Sequence, residues 1–289
     1  MTEGLLNIDK PAGITSHDVV ARVRRVTGVR RVGHAGTLDP IATGVLLVGV
    51  GRTTRLIEYL VGQPKTYEAR LRLGQATNTY DTEGEVTAER PFSHITSAAI
   101  ETHLAPLRGQ IEQRPPVYSA IKKDGQPLYK LARQGIEVDV PMRQVTIYAL
   151  ELLAHDAPLV DLRVTCSAGT YIRSLAHDLG QALGCGAHLT GLRRTAIGAF
   201  GVETAVSLPD LTPDNLNDYL QPPDTAVSHF PQLILSREEA QQWQHGMSVS
   251  HRPDQPTDSE LVRTYDENGR FLGISTAQAD HWQPKKVFK

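Results

Sequence analysis

RVGHAGTLDPIATGVLLVGVG, Arg31–Gly51, sets a glycine-rich approach, one Asp39-Pro40 pair and an apolar run in a single stretch. The run is far too short to cross a bilayer, and its length and flanking glycines predict a buried strand. Asp39-Pro40 reads as a turn at the mouth of that strand. Pro40 steers Asp39 away from helical backbone angles, so the carboxylate is presented in extended chain. A solvated turn explains this pattern, and so does an acid held at the rim of an apolar core with arginines nearby. The local sequence leaves both open.

Outward from this stretch, TSHDVVARVRRVTG predicts an amphipathic helix with Ser16 as N-cap, Val19, Val20, Val23 and Val26 on one face, and Gly28 closing it. KTYEARLRLG alternates, with Tyr67, Ala69, Leu71 and Leu73 on one side and Glu68, Arg70 and Arg72 on the other, as a half-buried strand does. SHITSAAIETHLAPLRG reads as helix. RPPVYSAIKKDGQPLYKLARQG reads as a strand, an Asp-Gly turn and a helix. QVTIYALELLAH and VDLRVTCSAG are strands able to pair. TYIRSLAHDLGQALG is a helix capped by Thr170, and AHLTGLRRTAIGAF a return strand. Strands and helices are intermixed without regular alternation, so the fold class is α+β with a large mixed or antiparallel sheet.

LPDLTPDNLNDYLQPPD carries four prolines and reads as a linker region. Beyond it, Ser236 and Glu239 form a capping box ahead of a short helix, and Asn268-Gly269 is the strongest hairpin signal in the chain. The expected division is 1–228 for a main domain and 230–289 for a small β-rich one.

The chain has 289 residues, 40% of them hydrophobic, with a net charge of −2. That composition supports a real core and gives little sign of nucleic-acid binding. The distribution is less even. Lys10–Leu60 holds eight Lys/Arg against three acids, whereas Val202–Asp224 holds five acids and no base. A local phosphate-binding face fits that asymmetry, and so does a solvated helix surface. The amino-terminal residues lack the pattern of a secretory signal, and two isolated cysteines, Cys166 and Cys185, argue against a disulfide framework or zinc site, so a reducing cytoplasm is expected. GVGRTTR lacks the phosphate-loop Lys-Ser/Thr, and no dinucleotide, serine-hydrolase or zinc-protease motif is present.

Five segments in order resemble the bacterial tRNA pseudouridine synthase B family: GLLNIDKPAGITSHDVV, GHAGTLDPIATGVLLVGVG, KTYEARLRLGQATNTYDTEG, AGTYIRSLAHDLG and GAHLTGLRRTAIG. They span most of residues 4–200, and a departure in the second block is Ile41 where leucine is common, an apolar exchange of little consequence. LSREEAQQWQHG, VRTYDENGRFLG and PKKVF resemble, more loosely, a PUA-type RNA-binding pseudo-barrel.

The resemblance implies isomerisation of uridine to pseudouridine at position 55 in the T-arm of tRNA, with no metal or organic cofactor. It assigns Asp39 as nucleophile, acting either at uracil C6 or at the ribose C1′, and Arg173 as its paired cation. Tyr67 stacks on the flipped base and is a candidate for moving the C5 proton. His34 fills space vacated in the RNA loop, and Tyr171 and Leu192 contact substrate. Lys10, with Arg24, Arg25, Arg30, Arg31, Arg193 and Arg194, supplies phosphate contacts. The partner is tRNA, its acceptor end reached through the C-terminal domain, and neither a membrane nor an obligatory protein partner is expected. Two other readings remain: an RNA-binding or tRNA-folding factor without chemistry, and a guide-directed relative, which the compact length disfavours.

Overall fold

The computed structural model describes residues 2–118, 140–252 and 259–288, with 122, 123, 126, 127, 255 and 256. Strand β1 (Gly4–Lys10) leads to helix α1 (Ser16–Thr27), β2 (Val32–His34), β3 (Thr43–Val50), α2 (Ile57–Val61) and β4 (Lys65–Leu73). A side ribbon, β5 (Gln75–Thr77) and β6 (Val86–Glu89), precedes α3 (Ser97–Leu104), β7 (Gly109–Gln113) and the short pair β8 (Lys122–Lys123) and β9 (Gln126–Pro127). The Asp-Gly turn between those two strands, and the helix expected after them, lie outside the described residues. Then come β10 (Arg143–Asp156), β11 (Leu159–Cys166), α4 (Ile172–Ala182), β12 (Ala187–Ile197), β13 (Phe200–Gly201), β14 (Val206–Ser207) and α5 (Leu216–Tyr219).

One mixed sheet organises this part, in the order β14–β1–β3–β12–β4–β11–β10–β7, with β2 beside β3 and β13 beside β12. The alternation in β4 holds: Tyr67, Ala69, Leu71 and Leu73 are buried under α3 and α4. On the opposite face Arg70 pairs with Asp161 at 2.7 Å and Glu68 with Arg163 at 3.1 Å, each directly across the ladder. Exposed pairs of this kind contribute about 0–1 kcal/mol, so they tune register more than stability. Gly44 is a glycine for a structural reason. Its φ is 99°, and a Cβ there would run into the Arg194 backbone where β3 meets β12.

Two helix starts differ from the sequence reading. Thr15, not Ser16, caps α1, exchanging bonds with Asp18 in a capping box. Ser16 is freed to turn inward. Thr170 donates to the Ser167 carbonyl at 3.0 Å instead of capping α4, whose N-cap position is Tyr171. The proline-rich stretch is no linker. Leu208, Leu211 and Leu216 pack against the valines of α1, β14 extends the sheet edge, and Leu5 and Gln221 exchange backbone hydrogen bonds at 2.9 Å. Its buried leucines, spaced among prolines and acids, outweigh its polar composition.

The remainder is a five-stranded sheet, β15 (Gln232–Leu235), β16 (Val249–Ser250), β17 (Leu261–Asp266), β18 (Phe271–Gln278) and β19 (His281–Val287), ordered β15–β17–β18–β19–β16, with α6 (Arg237–Gln244) packed on it. The curled sheet agrees with a PUA-like fold. Ser236 and Glu239 make the expected capping box. Gly269, at φ 78°, closes the β17–β18 hairpin, whose loop is three residues long because Asp266 bonds Arg270. Ile274 and Phe288 of this unit join Leu5, Val45 and Leu47 in one buried cluster. Arg55 donates to the Val287 carbonyl at 2.6 Å, and Lys286 pairs with Glu58. No helix among the described residues is long and apolar enough to cross a membrane.

Phe288 therefore sits in a core shared by both sheets. Phe288→Ala is expected to cost about 3–5 kcal/mol in denaturant unfolding, as for other buried aromatics. A loss under about 1 kcal/mol would mean that the two units do not share that core.

Candidate active site

Asp39 lies in the loop between β2 and β3, and three segments fix that loop. The Ser16 hydroxyl accepts from Leu38 N–H at 2.9 Å and donates to the Leu38 carbonyl at 3.2 Å. Gly13 N–H donates to the Pro40 carbonyl at 2.8 Å. The Lys10 ammonium donates to the carbonyls of Pro11 (2.9 Å), Ile14 (2.8 Å) and Pro40 (3.4 Å). Lys10 is 0% exposed. The expected phosphate contact from this residue is therefore corrected: its donors are spent inside, and it positions the Asp39 loop.

From α4, the Arg173 guanidinium reaches Asp39, Nε to Oδ2 at 3.0 Å. Its Nη1 meets Asp81 Oδ2 at 3.1 Å and the Thr79 carbonyl at 3.3 Å, and Nη2 donates to the Tyr118 carbonyl at 3.0 Å. Arg173 is thus no solvent-facing helix arginine. Asp81, in the loop after β5, is the second carboxylate that sequence reasoning missed. Its side chain is 4% exposed, and its other oxygen accepts from the Thr79 hydroxyl (2.6 Å) and Glu83 N–H (3.0 Å). Nothing in TNTYDTEG separates it from an ordinary polar loop; only its distant arginine marks it.

Asp39 is 37% exposed at its side chain and opens into a cleft of about 1200 Å³. Burial against the cleft wall pushes its carboxyl above the ordinary aspartate range; Arg173 opposes that rise, Asp81 adds to it and Lys10 opposes it. The guanidinium limits the shift without reversing it.

Tyr67 and Leu192 form part of the same wall, together with Tyr171, whose backbone is clasped by Gln113 on both sides at 2.8 and 3.0 Å. Burial raises the Tyr67 hydroxyl, which keeps it protonated at neutral pH, and the Arg194 guanidinium lies beside it. Lys65, two residues before Tyr67, also lines the wall; burial pulls its ammonium down to about 8, and it donates to the carbonyls of Val61 and Gln63. His34 is not in the wall. It packs edge-on behind His17, centroids 5.7 Å apart, and His17 is the histidine facing the cleft.

Only some of the basic side chains are consumed internally. Arg194 is 1% exposed and donates to the carbonyls of Val45 and Gly36, which corrects its assignment to phosphate. Arg193 pairs with Asp9, Arg52 with Glu3, and Arg31 donates to Thr54. Arg24, Arg25, Arg30 and Arg31 remain exposed. Among the described residues, no cluster of three or more His, Cys, Asp or Glu could hold a metal ion.

Residues 24–172 match the family model of the TruB family pseudouridylate synthase N-terminal domain. Residues 173–228 match the tRNA pseudouridylate synthase B C-terminal domain, and 231–288 the pseudouridine synthase II TruB C-terminal domain. A tRNA pseudouridine synthase B of Thermobifida fusca is 47% identical over 100% of this chain and 99% of its own. One of Dehalococcoides mccartyi is 46% identical over 99% and 96%. Among solved structures, an H/ACA RNP bound to a substrate RNA containing 2′-deoxyuridine has a chain that superposes with a TM-score of 0.74, at 27% identity, covering 99% of this chain and 85% of that one. The resemblance read from the five sequence segments is borne out.

The electrostatics can be tested without substrate. In a carbon-13 titration, the Asp39 carboxyl is expected to titrate above the ordinary value of about 3.9. Asp81→Asn removes a like charge and leaves Arg173 to Asp39 alone, so the midpoint falls. An unchanged midpoint would show that the two carboxylates do not communicate through Arg173.

Proposed function

The chain belongs to the TruB family of pseudouridylate synthases, and from that membership we propose that it converts uridine to pseudouridine at position 55 in the T-arm of tRNA, with Asp39 as nucleophile. The observation that carries the residue assignment is the Asp39–Arg173 ion pair at the floor of a cleft large enough for an everted nucleotide. The target uridine sits inside a folded RNA arm, so the enzyme must extract it and hold it unstacked.

The chemistry breaks the C1′–N1 bond, turns the uracil and forms C1′–C5. The proton on C5 is lost and N1 gains one, so atoms and electrons balance without an oxidant or reductant. Asp39 supplies the anionic oxygen for addition at C6 or for attack at C1′; the same ion pair serves both. Tyr67 offers its ring face to the uracil. Its hydroxyl, held in the protonated form, takes the C5 proton only by passing its own onward. Tyr171, Leu192 and His17 shape the pocket around the base.

We assign the chemistry to residues 1–228 and RNA contact, including the acceptor end, to 230–289. Support comes from the separate core around Trp243 and Trp282 in the smaller unit and from the family match that starts at 231. The reducing cytoplasm suits the two buried free cysteines. A folding-aid role on the same surface is compatible, but a binder has no use for a carboxylate held against an arginine in a cleft.

On an unmodified T-arm stem-loop with no added cofactor, Asp39→Asn is expected to lower pseudouridine formation by roughly a thousandfold or more, the scale of losing a covalent nucleophile, with affinity within about threefold. Turnover within about tenfold of the unaltered chain would overturn the nucleophile assignment.

A further inference from the structure

One residue before Asp81, the Tyr80 ring lies on the His177 ring, centroids 3.9 Å apart and planes 20° from parallel. Neither side chain forms part of the cleft wall. Tyr80 has φ 66°, one of only two non-glycine residues in the left-handed region among those described. An L-tyrosine holds that conformation only where its surroundings impose it. We propose that the Tyr80–His177 stack is a positioning device that fixes Asp81 on Arg173 and thereby aims Asp39; this rests on Asp39 being the reacting acid.

The geometry leads there step by step. Arg173 and His177 are one turn apart on α4, so they share a face and grip the same loop. Arg173 takes the Asp81 carboxylate and the Thr79 carbonyl, while His177 takes the intervening Tyr80 ring. The Tyr80 carbonyl accepts from Leu189 N–H at 2.9 Å, which ties the turned peptide to β12. With Tyr80 turned this way, Thr79 and Asp81 lie on the cleft side while the ring of the residue between them lies on the helix side. His177 contributes a flat face at this spot: its Nδ1 is buried without a hydrogen-bond partner among the described residues, and burial lowers its pKa, leaving the ring neutral at neutral pH. Backbone bonds from Tyr80 N–H to the Thr77 carbonyl (3.3 Å) and from Leu189 N–H to the Tyr80 carbonyl anchor the turn, and the stack adds the side-chain contact that holds an L-residue left-handed. Without it, a shift of Tyr80 displaces Asp81 on the guanidinium.

Tyr80→Ala removes the ring and leaves an L-residue with no side-chain contact to hold it left-handed, and His177→Ala removes the other half of the stack. Each is expected to lower kcat on the stem-loop about tenfold with KM changed by less than about twofold, the signature of a misplaced reacting group and not of lost binding. Tyr80→Phe and His177→Phe keep the stack and are expected to stay within about twofold of the unaltered chain. In an Asp81→Asn background, Tyr80→Ala is expected to add less than about twofold, because both changes act through one contact. A full additive loss there, an unchanged kcat in the stack-free variants, or an effect confined to KM overturns the proposal. Asp39→Asn run in parallel separates the two levels. If it is inactive while the stack-free variants match the unaltered chain, the stack is idle and the functional assignment stands; if it turns over, the assignment beneath has failed.

Discussion

One guanidinium holds the site together. Arg173 meets two carboxylates and two backbone carbonyls, contributed by the β2–β3 loop, the loop after β5 and the segment that follows β7. A buried charge of this kind is tolerable only when its donors are matched. Removing one partner from such a set typically costs about 3–5 kcal/mol, so these chain segments are bound to a common geometry by the same group. The cleft is the space they leave between them, and of the two carboxylates on Arg173, both of which line it, Asp39 is the exposed one, at 37% against 4% for Asp81.

The periodicity of β4, the valine face of α1 and the apolar run after Asp39 were legible in the sequence because each is a local pattern with a fixed period. Asp39 and Arg173 were legible through the motifs that carry the family resemblance, since local pattern alone favoured a plain turn for the first and a surface salt bridge for the second. Asp81 was not legible. Its function is set by a side chain 92 positions away, and nothing in a short polar loop announces such a partner. The cap of α1 failed for a simpler reason. By residue type Ser16 is the better N-cap of the two adjacent hydroxyls, yet Thr15 caps the helix while Ser16 holds Leu38.

The basic residues show how charge counts mislead. Counted along the chain, Lys10, Arg31, Arg52 and Arg55 suggest a phosphate surface. In space they bond the Pro40 carbonyl, Thr54, Glu3 and Val287 respectively. Long cationic side chains carry several donors, and a fold whose loops leave carbonyls inward consumes those donors as internal ties. From that stretch Lys10 closes the Asp39 loop and Arg55 seats the C-terminal sheet, while Arg24, Arg25, Arg30 and Arg31 stay at the surface. The acidic stretch is likewise more than surface, because Asp224 accepts from the Tyr265 hydroxyl at 2.7 Å and helps join the two units.

The pairing of two acids with one cation also suits the proposed chemistry better than a simple pair would. In the resting site the sum over Asp39, Arg173 and Asp81 is one negative charge, and burial works against it, which is why Asp39 is raised. When a carboxylate oxygen of Asp39 forms a covalent bond to the substrate, that charge leaves the acid. With a lone pair, Arg173 would then be an unmatched cation inside the protein, an outcome that opposes the step. With Asp81 in place, Arg173 and Asp81 remain a neutral pair, already hydrogen-bonded, and no group has to move. The second carboxylate raises the resting energy of the nucleophile and keeps the adduct matched, and both effects favour reaction. Had Asp81 been absent, the same guanidinium would have held Asp39 more tightly before the step and stood unbalanced after it.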